Sequence, residues 1–226
     1  FVAKFNHFIG LGDKEGVKNF FFKVLILSIP LTVFPVIGIT TTMQNFIGSW
    51  VGPQYESSVQ ITQFLLLSYI FSFLSYPSAV LIMAYEKTRA LLITSMILPL
   101  IYWVGIILTY SYFGLMSFAY FKFIAFSFSA VVYCFIIIKI FEINWNKLLI
   151  DVILPAVPAI VLLMGVLLLL RDHLPLEKSK FNLFLIMGVN ASCIMLATSI
   201  YYLCSIQFRK ATNEIFKTVT LKFRTK

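Results

Sequence analysis

The sequence predicts an all-α protein, a polytopic transmembrane bundle of about six helices. Three observations predict it. Of the 226 residues, 60% are hydrophobic and only 12% charged, too few polar side chains to clothe a water-soluble domain. The apolar residues gather into runs near the twenty or so that a helix needs to cross a hydrocarbon core of about 30 Å. The basic residues collect mostly between those runs, which is the pattern of membrane topology and not of a phosphate-tracking face. Nucleic acid is therefore excluded as the partner of the +9 net charge.

The elements follow in chain order. Residues 1–19 form a turn entering the first span, with Gly10, Gly12 and Gly16 permitting a tight backbone and Asp13 and Glu15 placed where a helix start favours negative charge. Spans are predicted over 20–47, 59–85, 90–112 and 115–141, a four-helix part covering 20–141. Two further transmembrane helices, 148–170 and 181–206, fall within 142–206. Pro30 and Pro35 interrupt the first span and Pro155 and Pro158 the fifth. Such kinks free carbonyls and either serve hinge motion or are ordinary membrane-helix prolines. Ser68, Ser72 and Ser75 share one helical face in the second span, a spacing that favours close helix packing over cavity lining. The basic tail, 207–226, is read as disordered, the alternative being a helix on the inner leaflet.

Orientation comes from charge. Six spans place both termini on one side, with Lys4, Lys14, Lys18, Lys23, Lys87, Arg89, Lys139, Lys147, Arg209, Lys210, Lys217, Lys222, Arg224 and Lys226. The opposite side has Arg171, Lys178 and Lys180. Fourteen against three places the termini in the cytoplasm.

Catalytic and metal chemistry find no support. Cys134, Cys193 and Cys204 lie in apolar runs without CxxC spacing, and His7 and His173 are far apart in loops and expected to be solvated. No nucleophile elbow, paired carboxylates, phosphate loop or zinc spacing occurs, so no enzyme activity, cofactor or metal is expected. Asp151 reads as a helix-start carboxylate and Asn190, mid-span, as a hydrogen-bonding residue facing a neighbouring helix.

The order of short elements between spans carries a resemblance. Gly12, Asp13, Lys14 and Glu15 make a turn before a span; Trp50, Gly52 and Tyr55 close that span; Ala84 precedes a basic turn with Lys87 and Arg89; Phe113, Gly114, Ser117 and Ala119 enter the next span. Over residues 1–145 this resembles the C-terminal part of the Wzx-type polysaccharide and O-antigen flippases, in the superfamily that also holds multidrug exporters and lipid II flippases. The family usually has glycine after the alanine of the second turn, where this chain has Tyr85 and Glu86, and Ser117 replaces a second glycine. Residues 146–226 show no motif of the family.

The resemblance implies one lobe plus terminal helices of a larger transporter in the bacterial inner membrane. It would flip undecaprenyl-diphosphate-linked oligosaccharide for O-antigen, lipopolysaccharide or other surface polysaccharide. Its partners would be that lipid-linked sugar, membrane lipids and other polysaccharide assembly proteins. Because the chain starts at Phe1 and not at Met, about eight earlier spans are expected on the family pattern. A drug or metabolite exporter of the same superfamily is the alternative within transport, and a membrane-embedded polymerase or acyltransferase the alternative outside it.

Lys122 is the one ionisable residue well inside a predicted span, and an intramembrane charge is a functional candidate by default. At 100° per residue it shares a face with Ala125, Ser129 and Tyr133, opposite Tyr120, Ile124 and Val131. Two readings stand: Lys122 pairs with the diphosphate while Ser129 and Tyr133 line the same path, or its long stem snorkels to the headgroups.

Overall fold

A computed structural model describes residues 2–141 and 145–224, and the side chains within these except at 141, 145, 147 and 218–224. The linker at 142–144, where the third predicted segment begins, and the side chains of Lys147, Lys222, Arg224 and Lys226 lie outside the described residues.

The chain begins with helix α1 (Val2–Gly10) and a turn into α2 (Lys14–Ser28). Asp13 caps α2, accepting the Gly16 backbone N–H at 2.8 Å, so one of the unpaired donors at the helix start is satisfied. Gly12 takes φ +69°, and a Cβ on Gly16 would overlap the Asp13 carboxyl. The first segment is thus a helix and a turn, not a turn throughout, because Phe5 is fully buried within the central core.

The first span continues from α2 through a π-turn (Ile29–Val33) into α3 (Phe34–Thr41). Pro30 lies within that π-turn and Pro35 just after it, in α3; each removes a backbone donor and leaves the ladder to re-form with a wider period. After a break at Thr42 a separate helix, α4 (Met43–Trp50), runs to a single 3₁₀ turn at Pro53–Tyr55. The predicted span 20–47 therefore starts earlier and stops sooner than its apolar run.

The second span joins α5 (Ser57–Leu67), a 3₁₀ turn (Ser68–Phe71) and α6 (Ser72–Ala84). The third and fourth are single helices, α7 (Thr88–Phe113) and α8 (Met116–Phe141). Beyond them, α9 (Trp145–Leu148) leads through a π-turn (Leu149–Ile153) and a 3₁₀ turn (Leu154–Ala156) into α10 (Val157–Arg171). The sixth span is α11 (Lys180–Cys204), followed by α12 (Ile206–Arg224). Six helical segments are long and apolar enough to cross a membrane, and no strand occurs among the described residues. The protein is an all-α membrane-embedded bundle.

The first span is the hub. Phe21, Leu25 and Phe34 are fully buried in one cluster with Leu81 of the second span, Ile137 of the fourth, Leu163 of the fifth and Tyr201 of the sixth. The third span is peripheral and packs chiefly on α8, where Gly105 lets Phe121 approach so closely that a Cβ would overlap the ring. In the sixth span Asn190 donates through Nδ2 to Thr42 Oγ1 at 2.9 Å, the interhelical bond its mid-span position predicts. Asp151 falls within the opening π-turn of the fifth span, and His7 and His173 are exposed.

The tail departs from the disordered expectation. Residues 206–224 are helical, and the Phe208 ring stacks on Tyr201 at 4.6 Å between centroids. Phe208 and Ala211, three apart on one face, are buried while Arg209 and Lys210 are exposed, so the helix forms on a tertiary contact.

The turns between spans need special backbone. The positive-φ glycines among the described residues are Gly12, Gly52 at +117° and Gly114 at +53°, and Glu86 takes φ +56° in the turn after α6. A left-handed conformation strains a residue with a Cβ by about 1–2 kcal/mol. Glu86→Gly is therefore expected to raise stability by roughly 0.5–1 kcal/mol, part of the relief being offset by the freer unfolded chain. Thermal unfolding in detergent micelles measures it; a lower midpoint than the parent would contradict the strain.

Candidate functional site

A cavity of about 470 Å³ opens between the first, second and fourth spans, with Leu98 of the third at its edge. Two of its walls adjoin a local irregularity, and the third is the regular helix α8. The first span offers Ser28 at the end of α2 and Leu31 and Thr32 of the π-turn. The 3₁₀ turn at Ser68–Phe71 winds the second span more tightly than an α-helix and brings Ser72 and Ser75 onto the cavity while Ser68 stays buried. Close packing, the favoured expectation for the three serines, fits Ser68, while Ser72 and Ser75 take the cavity-lining alternative. The fourth span contributes Phe126, Ser129 and Tyr133.

Two of the lining hydroxyls are occupied locally. Ser28 donates to the Leu25 carbonyl at 2.8 Å and reaches the Phe73 carbonyl across the span boundary at 3.2 Å. Thr32 donates to the Ser28 carbonyl at 2.7 Å. Ser75 Oγ, buried, has no hydrogen-bond partner among the described residues. The chamber is mainly carbon, with the Ser75 hydroxyl and the Ser72, Tyr76, Ser129 and Tyr133 side chains as its further polar points.

The three candidate residues are only partly brought together. Ser129 and Tyr133 share the cavity wall, and Lys122 does not line it. Seven residues separate Lys122 from Ser129, roughly 10 Å along the helix axis. Phe126, one turn on from Lys122, lines the cavity, and its ring centroid lies 5.8 Å from Lys122 Nζ. The ammonium is held by the second span: Lys122 Nζ donates to Tyr69 Oη at 3.1 Å and sits 4.5 Å over the Tyr69 ring. A cation against an aromatic face is attracted by the ring quadrupole, so Lys122 has a fixed station near the cavity rim.

Sequence reading missed a second polar cluster, at the end of the bundle opposite the termini. Asn45 of α4 donates through Nδ2 to the carbonyls of Arg171 and Leu174 at 3.1 and 3.0 Å. Ser49 Oγ donates to the Pro175 carbonyl at 3.2 Å, and the Ser179 N–H to the Ser49 carbonyl at 3.1 Å. This clasp fixes the loop between the fifth and sixth spans to the end of the first. Its only sequence signal was a polar residue among apolar ones in "MQNFIGSW".

Among the described residues no cluster of three or more His, Cys, Asp or Glu side chains could hold a metal. The geometry supplies a chamber, a cation at its rim and kinked walls, which suits holding and passing a ligand. Set against family models, curated proteins and solved structures, the chain matches none.

Proposed function

We infer that this chain is part of a translocator of polyprenyl-diphosphate-linked oligosaccharide in a bacterial inner membrane, with its termini facing the cytoplasm as the asymmetry of basic residues supports. The observation that carries the reading is where the backbone is special. Gly12, Gly52 and Gly114 take positive φ, and so does Glu86; all four fall in the inter-span elements that resemble the flippase family. At the second turn the chain lacks the family's glycine yet keeps a left-handed residue, so the turn geometry itself supports the likeness.

The physical need fits the chamber. A sugar diphosphate loses its hydration on entering hydrocarbon, and unassisted crossing is slow. A cavity between kinked spans could carry the head while the polyprenyl tail remains in lipid, and rocking of one lobe against another would alternate its access. Lys122 is the cation placed to meet the diphosphate once the Phe126 ring swings aside, with Ser129 and Tyr133 meeting less charged parts of the head. The carbon-rich wall equally favours a second reading, an exporter of apolar drugs or metabolites.

A photoreactive side chain at Ser75 separates the two. In cells making a surface polysaccharide, the full-length protein is expected to cross-link a diphosphate lipid bearing sugar. Cross-links to the added drug or to phospholipid alone would sink the flippase reading.

A further inference from the structure

A second cavity, of about 360 Å³, lies at the end of the bundle that carries the chain termini, between α1, α2, the start of the fifth span and α12. Three lysines from three separate elements line it: Lys4 of α1, Lys23 of α2 and Lys210 of α12. Asp151 and Glu214 share the wall. Glu214 is ion-paired with Lys23, and its carboxyl is held below the usual carboxylate range by the Lys23 hydrogen bond, against slight desolvation, helped by the charges of Lys23, Lys4 and Lys217. Lys4 and Lys210 have no ion pair among the described residues; Lys4 Nζ rests 5.0 Å over the Phe20 ring. Asn19 and Gln207 add neutral donors.

Depth decides what such a cavity meets. The first span runs over Lys14–Thr41, 28 residues, roughly 42 Å of helix against a hydrocarbon core of about 30 Å. Its first turns therefore project into the headgroup layer. The other walls are set at the same level: Asp151 opens the fifth span, and Gln207 and Lys210 follow the end of the sixth by a few residues. A pocket at this depth, with two lysines left to bind, selects phosphate esters carried by the bilayer itself.

We propose that this cavity binds the phosphate headgroup of an anionic phospholipid, with Lys4 and Lys210 as the principal contacts and Lys23, held by Glu214, as the third wall. The bound phosphate bridges the first helix of the chain to its last and fixes α12 against α2. This does not depend on what the transmembrane cavity carries.

The test uses the full chain in detergent, titrated with phosphatidylglycerol or phosphatidylcholine and read by native mass spectrometry. Phosphatidylglycerol is expected to bind preferentially. Each lysine near a membrane surface is worth about five-fold in affinity, so Lys4→Ala with Lys210→Ala is expected to weaken binding by roughly 25-fold. Lys178→Ala with Lys180→Ala, at the opposite end, should leave it unchanged, and Lys4→Arg with Lys210→Arg should retain it. Equal binding of the two lipids, or equal losses in the two alanine pairs, overturns the site. Displacement of the lipid by glycerol phosphate at matched concentration would assign the cavity to a soluble phosphate ester and overturn the lipid source.

Discussion

Lys122→Ala in the full-length protein is expected to lower surface polysaccharide by about ten-fold or more at unchanged protein level, and Lys122→Arg to keep most of it. Hydrogen bonds to a charged group are worth about 1.5–3 kcal/mol, which sets that scale. Met116 starts α8, so Lys122 sits roughly 9 Å along the axis from the helix end. Tyr69 Oη accepts its proton at 3.1 Å. A side chain engaged with a neighbouring span and backed by the Phe126 ring is positioned towards the cavity rim. If alanine leaves polysaccharide at the parental level, the cation only snorkels, and the diphosphate contact is wrong. Phe126→Ala should act in the opposite sense to Lys122→Ala on ligand capture, since it removes the ring that lines the chamber beside the ammonium.

The second large effect is structural. Gly48→Val is expected to destabilise the protein by about 1–3 kcal/mol, the usual range for forcing atoms into a packed site. A Cβ at Gly48 would lie 2.7 Å from the Leu176 carbonyl oxygen, and a backbone carbonyl cannot turn aside as a side-chain tip can. Asn45→Leu should cost about 2 kcal/mol, because it strips two loop carbonyls of their donor. Both act on the same clasp, so the double variant should lose less than the sum. Thermal unfolding in micelles checks each, and wild-type midpoints for Gly48→Val would show that the loop is not seated on α4.

These two predictions draw on unequal amounts of sequence information. The fourth span was largely legible: on the helical wheel Ala125, Ser129 and Tyr133 fall on one face, and all three are buried, while Ile124 and Val131 opposite are exposed. Tyr120, on that same opposite face, is instead half-buried against Phe64, their ring centroids 4.9 Å apart. The wheel also puts Phe126, one turn beyond Lys122, on the Lys122 face; what it could not show is that Tyr69 of the second span engages the Lys122 ammonium. Span existence was legible because hydrocarbon thickness sets a minimum apolar length. Span ends were not. Hydropathy stops at the first lysines, yet the helix runs on through Lys18 to Lys14 because Asp13 caps it. The clasp was invisible because Asn45 binds carbonyls 126 and 129 residues away, and backbone acceptors leave no mark in a sequence. The tail was misread because its docking depends on Phe208 finding Tyr201, a tertiary contact with a two-residue signal.

The measurement that tests the central claim most directly is the sidedness of the lipid-linked repeat unit in cells depleted of the full-length protein. The account predicts that the sugar-bearing diphosphate lipid accumulates on the cytoplasmic face, inaccessible to a glycan-cleaving enzyme added from outside, and that restoring the protein exposes it. Unchanged exposure after depletion, with polysaccharide still reaching the surface, would contradict it.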